Sequence, residues 1–150
     1  MNEQIKIRQM DDQDAISVQN LIQDLANFEK CPNEVNTSYS DVQLSLSQGL
    51  IKGIVAINLV EEVIGMAIFF PYYSTWNGKT LYLEDFYVRP EYRSHGVGQL
   101  LFDEYINQAK AFGAKMLKWQ VLDWNVEAKK FYLKNGARFF PGWENGIIKL

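Results

Sequence analysis

The stretch Leu81–Tyr105, LYLEDFYVRPEYRSHGVGQLLFDEY, changes character along its length. From Thr80 to Val88 it is rich in β-branched, aromatic and aliphatic residues and reads as a strand. From Val97 it places Leu101, Phe102 and Tyr105 on one side at helical spacing, continued by Ala109 and Phe112 until Gly113 ends the pattern. Between the two lies RSHGVG, Arg93–Gly98, with a charge and two glycines where a core would want neither. A helix start carries unbonded N–H groups and a partial positive charge. Glycines let those amides approach a ligand with no Cβ in the way. The junction therefore suits an anion, phosphate best, with Arg93 able to add a charge. It has no Gly-Lys-Ser/Thr, and with only Gly96 and Gly98 it is not the dinucleotide fingerprint. The same short pattern also fits a plain glycine-rich turn.

Working outward, Ile5–Gln9 alternates as a first strand, and Asp11 or Asp12 can cap a helix whose apolar stripe is Val18, Leu21, Ile22 and Leu25. TSYSDVQLSLSQG reads as a weaker helix closed by Gly49. GIVAINLVEEVIGMAIFFPYY reads as two strands of an antiparallel hairpin joined at Glu61-Glu62, and Asn77–Lys79 as a turn. KMLKWQVL is a further strand, and Asn125 caps a helix bearing Ala128, Phe131 and Tyr132, ended by Gly136. The tail, Ala137–Leu150, has strand-like pieces around GWENGIIKL, with a turn at its Asn-Gly. The order predicts an α/β fold with a mixed sheet: an antiparallel hairpin, then a parallel, right-handed crossover with flanking helices. No repeat or linker interrupts it, so one domain over 1–150 is expected.

Composition narrows the chemistry. The chain has 150 residues, a net charge of −3, one cysteine (Cys31) and one histidine (His95). That is a poor basis for a nucleic-acid partner, which needs a dense basic patch. One His and one Cys cannot build the usual zinc site, so no metal is expected. They also exclude a Ser–His–Asp triad unless His95, inside the glycine loop, is its base. A polar start after Met1 and no apolar run near the length of a membrane span predict a cytoplasmic protein without a membrane partner.

Two motifs carry a resemblance to a known family. Arg-x-x-Gly-x-Gly after DFYVRPEYR, together with WNVEAKKFYLKNGA (Trp124–Ala137), resembles the GNAT superfamily of N-acetyltransferases over nearly the whole chain. LYLEDFYV, STWNGK, DWN and LANFEK are similar to its diamine (spermidine/spermine) and thialysine branch. Ser94-His95 departs from the more usual glycine-plus-apolar pair, and Val126-Glu127 from the more usual Glu-Pro. The resemblance implies a GNAT-like fold and acetyl-CoA as cosubstrate without a metal. The pyrophosphate would lie on the turn through Arg93, Ser94, His95, Gly96, Val97, Gly98 and Gln99. Asn125 and Ala128 would meet the pantetheine arm.

Each candidate residue also has an ordinary reading. Glu84 and Asp85 interrupt an apolar strand, and strict alternation would put them on opposite faces. They are either an exposed charge and a salt bridge, or a general base and an amine anchor, the latter if a bulge aims both at one cleft. By resemblance Glu84 is the base, directly or through water, and Tyr132 the acid for the leaving thiolate. Tyr132 could equally be a packing residue. Asn125 could be only a helix cap, Glu29 only a helix-end charge, and Trp76 and Tyr73 only packing aromatics. By resemblance Phe28 and Glu29 reach the amine site, either of their own chain or of a dimer partner, and Trp76 and Tyr73 could line the path of an alkyl polyamine. Backbone amides near Phe86, Tyr87 and Val88 would polarise the acetyl carbonyl.

The expected function is transfer of an acetyl group from acetyl-CoA to a primary amine of a small cation, a polyamine, diamine or lysine-like amino acid. The alternatives are a GNAT enzyme acting on a peptide or antibiotic amine, or a non-catalytic acyl-CoA-binding module. The apolar tail FFPGWENGIIKL and the resemblance predict a homodimer.

Overall fold

The computed structural model describes residues 4–150. They form two compact units, a larger one ending at Gln120 and a smaller one, Val121–Leu150.

The larger unit is built on a five-stranded sheet in sequence order: β1 (Lys6–Gln9), β2 (Lys52–Ile57), β3 (Val63–Ser74), β4 (Gly78–Val88) and β5 (Met116–Trp119). The first three pairings are antiparallel, and β4–β5 is parallel. The parallel pair is joined by the helix α3 (Val97–Phe112), which follows α1 (Ala15–Phe28) and α2 (Tyr39–Ser47) along the chain. This is the expected mixed sheet.

Alternation along β3 divides the core in two. Met66 and Ile68 join Val18 and Leu21 of α1, Val42 of α2, and Val55 and Ile57 of β2. Phe69 lies on the other face, its ring centroid 5.4 Å from that of Tyr105 in α3. There Phe102 meets Phe86 and Trp119 edge-on, and the buried Tyr105 hydroxyl donates to the Leu81 carbonyl at 2.5 Å. The start of α1 is held by Asp14, which accepts two bonds of 2.8 Å from the Arg8 guanidinium. Asp14 also accepts from the Asp11 N–H in a capping box. Burial alone would raise the Asp14 pKa, but Arg8 and that N–H together lower it.

In the smaller unit, α4 (Val126–Lys134) is capped by Asn125, whose Oδ1 accepts from the Ala128 N–H at 3.2 Å. Tyr132 is buried, with the Phe131 and Phe139 rings at 5.6 and 6.5 Å between centroids.

Two expectations about strands need correction. β5 stops at Trp119 rather than running on to Leu122, because its ladder with β4 ends at Leu83, where β4 bends away from a regular register. The tail after Gly136 contains neither the expected strand nor its hairpin. Pro141 offers no N–H to a ladder, and Gly142 at φ 99° leaves the extended region. Phe140, Trp143, Ile147 and Ile148 are each more than 70% exposed.

Candidate active site

The site begins with one residue too many. Opposite the consecutive residues Ile68 and Phe69 of β3 stand Asp85 and Leu83 of β4, so Glu84 is unpaired in the ladder. An inserted residue shifts the alternation by one. Leu83 keeps to the α3 face with Phe69, whereas Asp85 moves to the α1 face with Ile68 and Tyr87. Without the bulge, Asp85 would have followed Leu83 onto the α3 face. β5 accompanies β4 only to Leu83, so Glu84–Val88 has no strand on that side among the described residues.

The bulge has an electrostatic consequence. Glu84 is exposed and Asp85 is half-buried. The Asp85 pKa is pushed up to about 7, first by loss of solvent and then by the charges of Glu84 and Glu29. Burial raises the Glu29 pKa as well. Among the described residues, neither Glu84 nor Asp85 has an ion-pair or side-chain hydrogen-bond partner. The salt-bridge reading therefore fails. A carboxylate left desolvated and unpaired is costly to the fold, and a cation would relieve that cost.

Beyond Val88 the chain makes a 3-10 turn, Pro90–Tyr92, and enters the glycine loop. The Tyr92 hydroxyl accepts from Asn58 Nδ2 at 3.0 Å, and Asn58 also bonds Glu62 and the Val60 and Glu62 amides. This ties the loop to the β2–β3 hairpin, and no local sequence signal announced it. His95 Nδ1 lies 2.7 Å from the Arg93 carbonyl, which can only accept, so Nδ1 carries the hydrogen. His95 braces the loop in this way.

The two glycines differ. Gly96 precedes α3 at φ 84°, a left-handed conformation that favours glycine. Gly98 has no such φ, and a Cβ there would meet nothing nearer than Phe86 Cζ at 3.8 Å. The fold therefore leaves room for a Cβ at Gly98, and a glycine inside a helix costs about 0.5–1 kcal/mol relative to alanine. Space kept open in the first turn of a 16-residue helix, beside amides with no carbonyl of their own helix, fits a phosphate.

Residues 20–137 match the model of the acetyltransferase (GNAT) family. The chain belongs to the GNAT family of acetyltransferases. It is an N-acetyltransferase similar to the thialysine N-epsilon-acetyltransferase of Caenorhabditis elegans, 35% identical over 75% of this chain and 69% of that one. The corresponding protein of Bos taurus is 31% identical over 89% and 84%. In fold it matches an aminoglycoside N-acetyltransferase solved with CoA, at a TM-score of 0.77 and 19% identity, over 100% of this chain and 96% of that one.

As a GNAT enzyme the chain has local peculiarities. Ser94, where the family more usually has glycine, sits at φ 64°, so the backbone keeps a glycine conformation under a serine. Arg93 does not turn its charge toward the loop. Its Nε donates to the Val88 carbonyl at 2.8 Å, and its guanidinium lies over the rings of both Phe28 and Tyr87. Both rings offer a face to the cation on the α1 side, which holds it there. Phe28 closes α1, partly exposed, just before Glu29. Trp76 is 87% exposed at the β3–β4 tip, eight residues before Glu84 and therefore at the opposite end of β4. In the smaller unit, Asn125 Oδ1 and the Ala128 N–H are committed to each other as the cap. A groove of about 460 Å³ lined by Gln9, Met10, Asp12, Lys52 and Gln108 contains none of the expected site residues.

Proposed function

We propose that this GNAT enzyme transfers an acetyl group from acetyl-CoA to a primary amine of a small cation, of the diamine, polyamine or lysine-like type. The observation that carries the reading is the bulge at Glu84, which leaves Asp85 desolvated without a counter-ion on the strand that feeds the glycine loop. A cationic amine is the partner such a carboxylate lacks. The thialysine specificity named for relatives is consistent with it.

The loop from Arg93 to Gln99 holds the pyrophosphate on its backbone amides rather than on the Arg93 side chain, with Gly98 leaving room for it. Along Phe86–Val88 β5 does not cover the outer edge of β4, and the amides that alternate onto that edge, those of Phe86 and Val88 on either side of Tyr87, orient and polarise the acetyl carbonyl. Asn125 and Ala128 support the pantetheine arm. Bound there, acetyl-CoA supplies the thioester that the amine attacks.

The residues of the chain then do three things. Glu29 and Asp85 draw in the ammonium, with Phe28 beside them and Trp76 available only to the far end of an extended amine. Glu84, exposed in the bulge, accepts the proton that the amine must lose, directly or through water, since an alkyl amine has a pKa near 10.4 and is mostly charged at neutral pH. The nitrogen–carbon bond forms, the carbon–sulfur bond breaks, and Tyr132 protonates the leaving thiolate. Holding both reactants in place supplies much of the acceleration.

We further read the enzyme as one N-acetyltransferase domain, a cytoplasmic homodimer. The exposed apolar side chains of the tail favour association, and Cys31 is an exposed free thiol compatible with a reducing compartment. Light scattering that finds monomer throughout the micromolar range would remove the dimer. The function is tested by CoA release across spermidine, putrescine, 1,3-diaminopropane, lysine, thialysine and aminoglycosides. Turnover of the small cationic amines is expected, and a preference for peptide amines or aminoglycosides would overturn the substrate class.

A further inference from the structure

Arg93 belongs to the glycine loop by its backbone and to the amine side by its side chain. Its N–H donates to the Pro90 carbonyl at 3.2 Å, and its carbonyl receives His95 Nδ1 at 2.7 Å. Its Nε bonds the Val88 carbonyl, and its guanidinium carbon is 5.2 Å from the Phe28 ring centroid and 5.1 Å from that of Tyr87. Tyr87 shares the α1 face with Asp85, and Phe28 precedes Glu29. One residue thus joins the loop, the end of β4 and the end of α1.

We propose that Arg93 is a positioning residue for the amine rather than a phosphate ligand. It holds Phe28, and with it Glu29, against the Tyr87–Asp85 face of β4. Because its backbone lies in the loop, binding at the loop and binding of the amine reinforce each other. The inference rests on the proposed assignment of loop and carboxylates. Arginine suits the task because a planar guanidinium can lie against two rings while its Nε donates in the plane. Lysine keeps the charge but loses the Nε bond and the flat stack. Acetyl-CoA bound at the loop would limit the freedom of Arg93, so the amine that follows would find Phe28 and Glu29 already placed.

The test uses the full chain with Arg93→Lys and Phe28→Leu, spermidine and thialysine as amines, and thermal melts to verify folding. In Arg93→Lys the KM for the amine should rise about 10-fold, the scale of losing these contacts, while kcat and the KM for acetyl-CoA change by no more than about 2-fold. Phe28→Leu removes the stacking ring from a partly exposed helix end and should reproduce the amine effect. The double variant should add little to either, because the two residues share one contact. By calorimetry, CoA should tighten amine binding to the parent several-fold and leave Arg93→Lys nearly unaffected. A rise in the acetyl-CoA KM alone would make Arg93 a phosphate ligand and overturn the proposal. So would an unchanged amine KM in Phe28→Leu. Failure of the underlying loop assignment is seen separately, as unchanged acetyl-CoA affinity in Gly98→Val.

Discussion

Replacing Asp85 with asparagine should strengthen the empty enzyme and weaken its grip on the amine. The Asp85 pKa rises from 3.8 to about 7 on folding, through burial and then through Glu84 and Glu29. A raised carboxyl pKa means that the folded state holds its proton over a pH range where the unfolded chain has released it. The group has no effect on stability below the unfolded value. It lowers stability progressively between 3.8 and about 7, and its full cost is reached above that. Between pH 5 and 8.5 the enzyme crosses about two pH units of this window, each of about 1.4 kcal/mol, a ceiling near 3 kcal/mol. Asp85 retains some solvent, which screens its charge, so a loss of about 1–2 kcal/mol is expected. The substituted asparagine carries no charge and should not show it. The assay is urea unfolding of both proteins at pH 5 and pH 8.5. Asp14, whose lowered pKa contributes stability that is lost as pH falls, is common to both and cancels in the comparison. The stability difference in favour of Asp85→Asn should be about 1–2 kcal/mol larger at pH 8.5 than at pH 5. In the parent, the amine KM should fall as pH rises through 7 and the anchor ionises. In the variant it should be about 10-fold higher or more, and flat over that range. An equal stability difference at both pH values would refute the desolvation argument, and an unchanged KM would refute the anchor.

Glu84→Gln cannot take the proton and should lower turnover by about 10²-fold, less at high pH where more amine is already neutral. An unchanged pH profile of kcat would make Glu84 a structural charge. Tyr132→Phe should lower turnover without raising the amine KM, and steady-state kinetics showing the reverse would assign Tyr132 to packing. Gly98→Val should leave the melting temperature within a few degrees, since the nearest atom to its Cβ is 3.8 Å away. The same substitution should raise the acetyl-CoA KM about 10-fold or more, because the side chain fills the phosphate space. Ser94→Gly relieves a left-handed φ of 64° and should stabilise by up to about 1 kcal/mol, the strain of roughly 1–2 kcal/mol less the entropy cost of glycine. A fall in its melting temperature would show that the serine side chain compensates its backbone.

What the sequence determined by itself was what depends on neighbours along the chain. The span of α3 from Val97 to Phe112, the left-handed Gly113 that ends it, the Asn125 cap and the β2–β3 hairpin all follow from periodicity and local hydrogen bonding. The glycine loop before α3 was legible for the same reason, since both its amides and its missing Cβ atoms are local properties. The family motifs added candidate roles that no periodicity could supply. Tertiary structure decided the rest. The chain identified Glu84-Asp85 as a costly pair, but the position of the bulge is a matter of register against Ile68 and Phe69, and pairing across strands leaves no local mark. Arg93 looked like charge for the loop, and the ring of Phe28, distant in sequence, together with that of Tyr87 on the preceding strand, drew it to the other face. The same physics ended β5 at Trp119 and left the tail without a strand. A strand exists only where another backbone meets its hydrogen bonds, and apolar residues by themselves do not provide that partner.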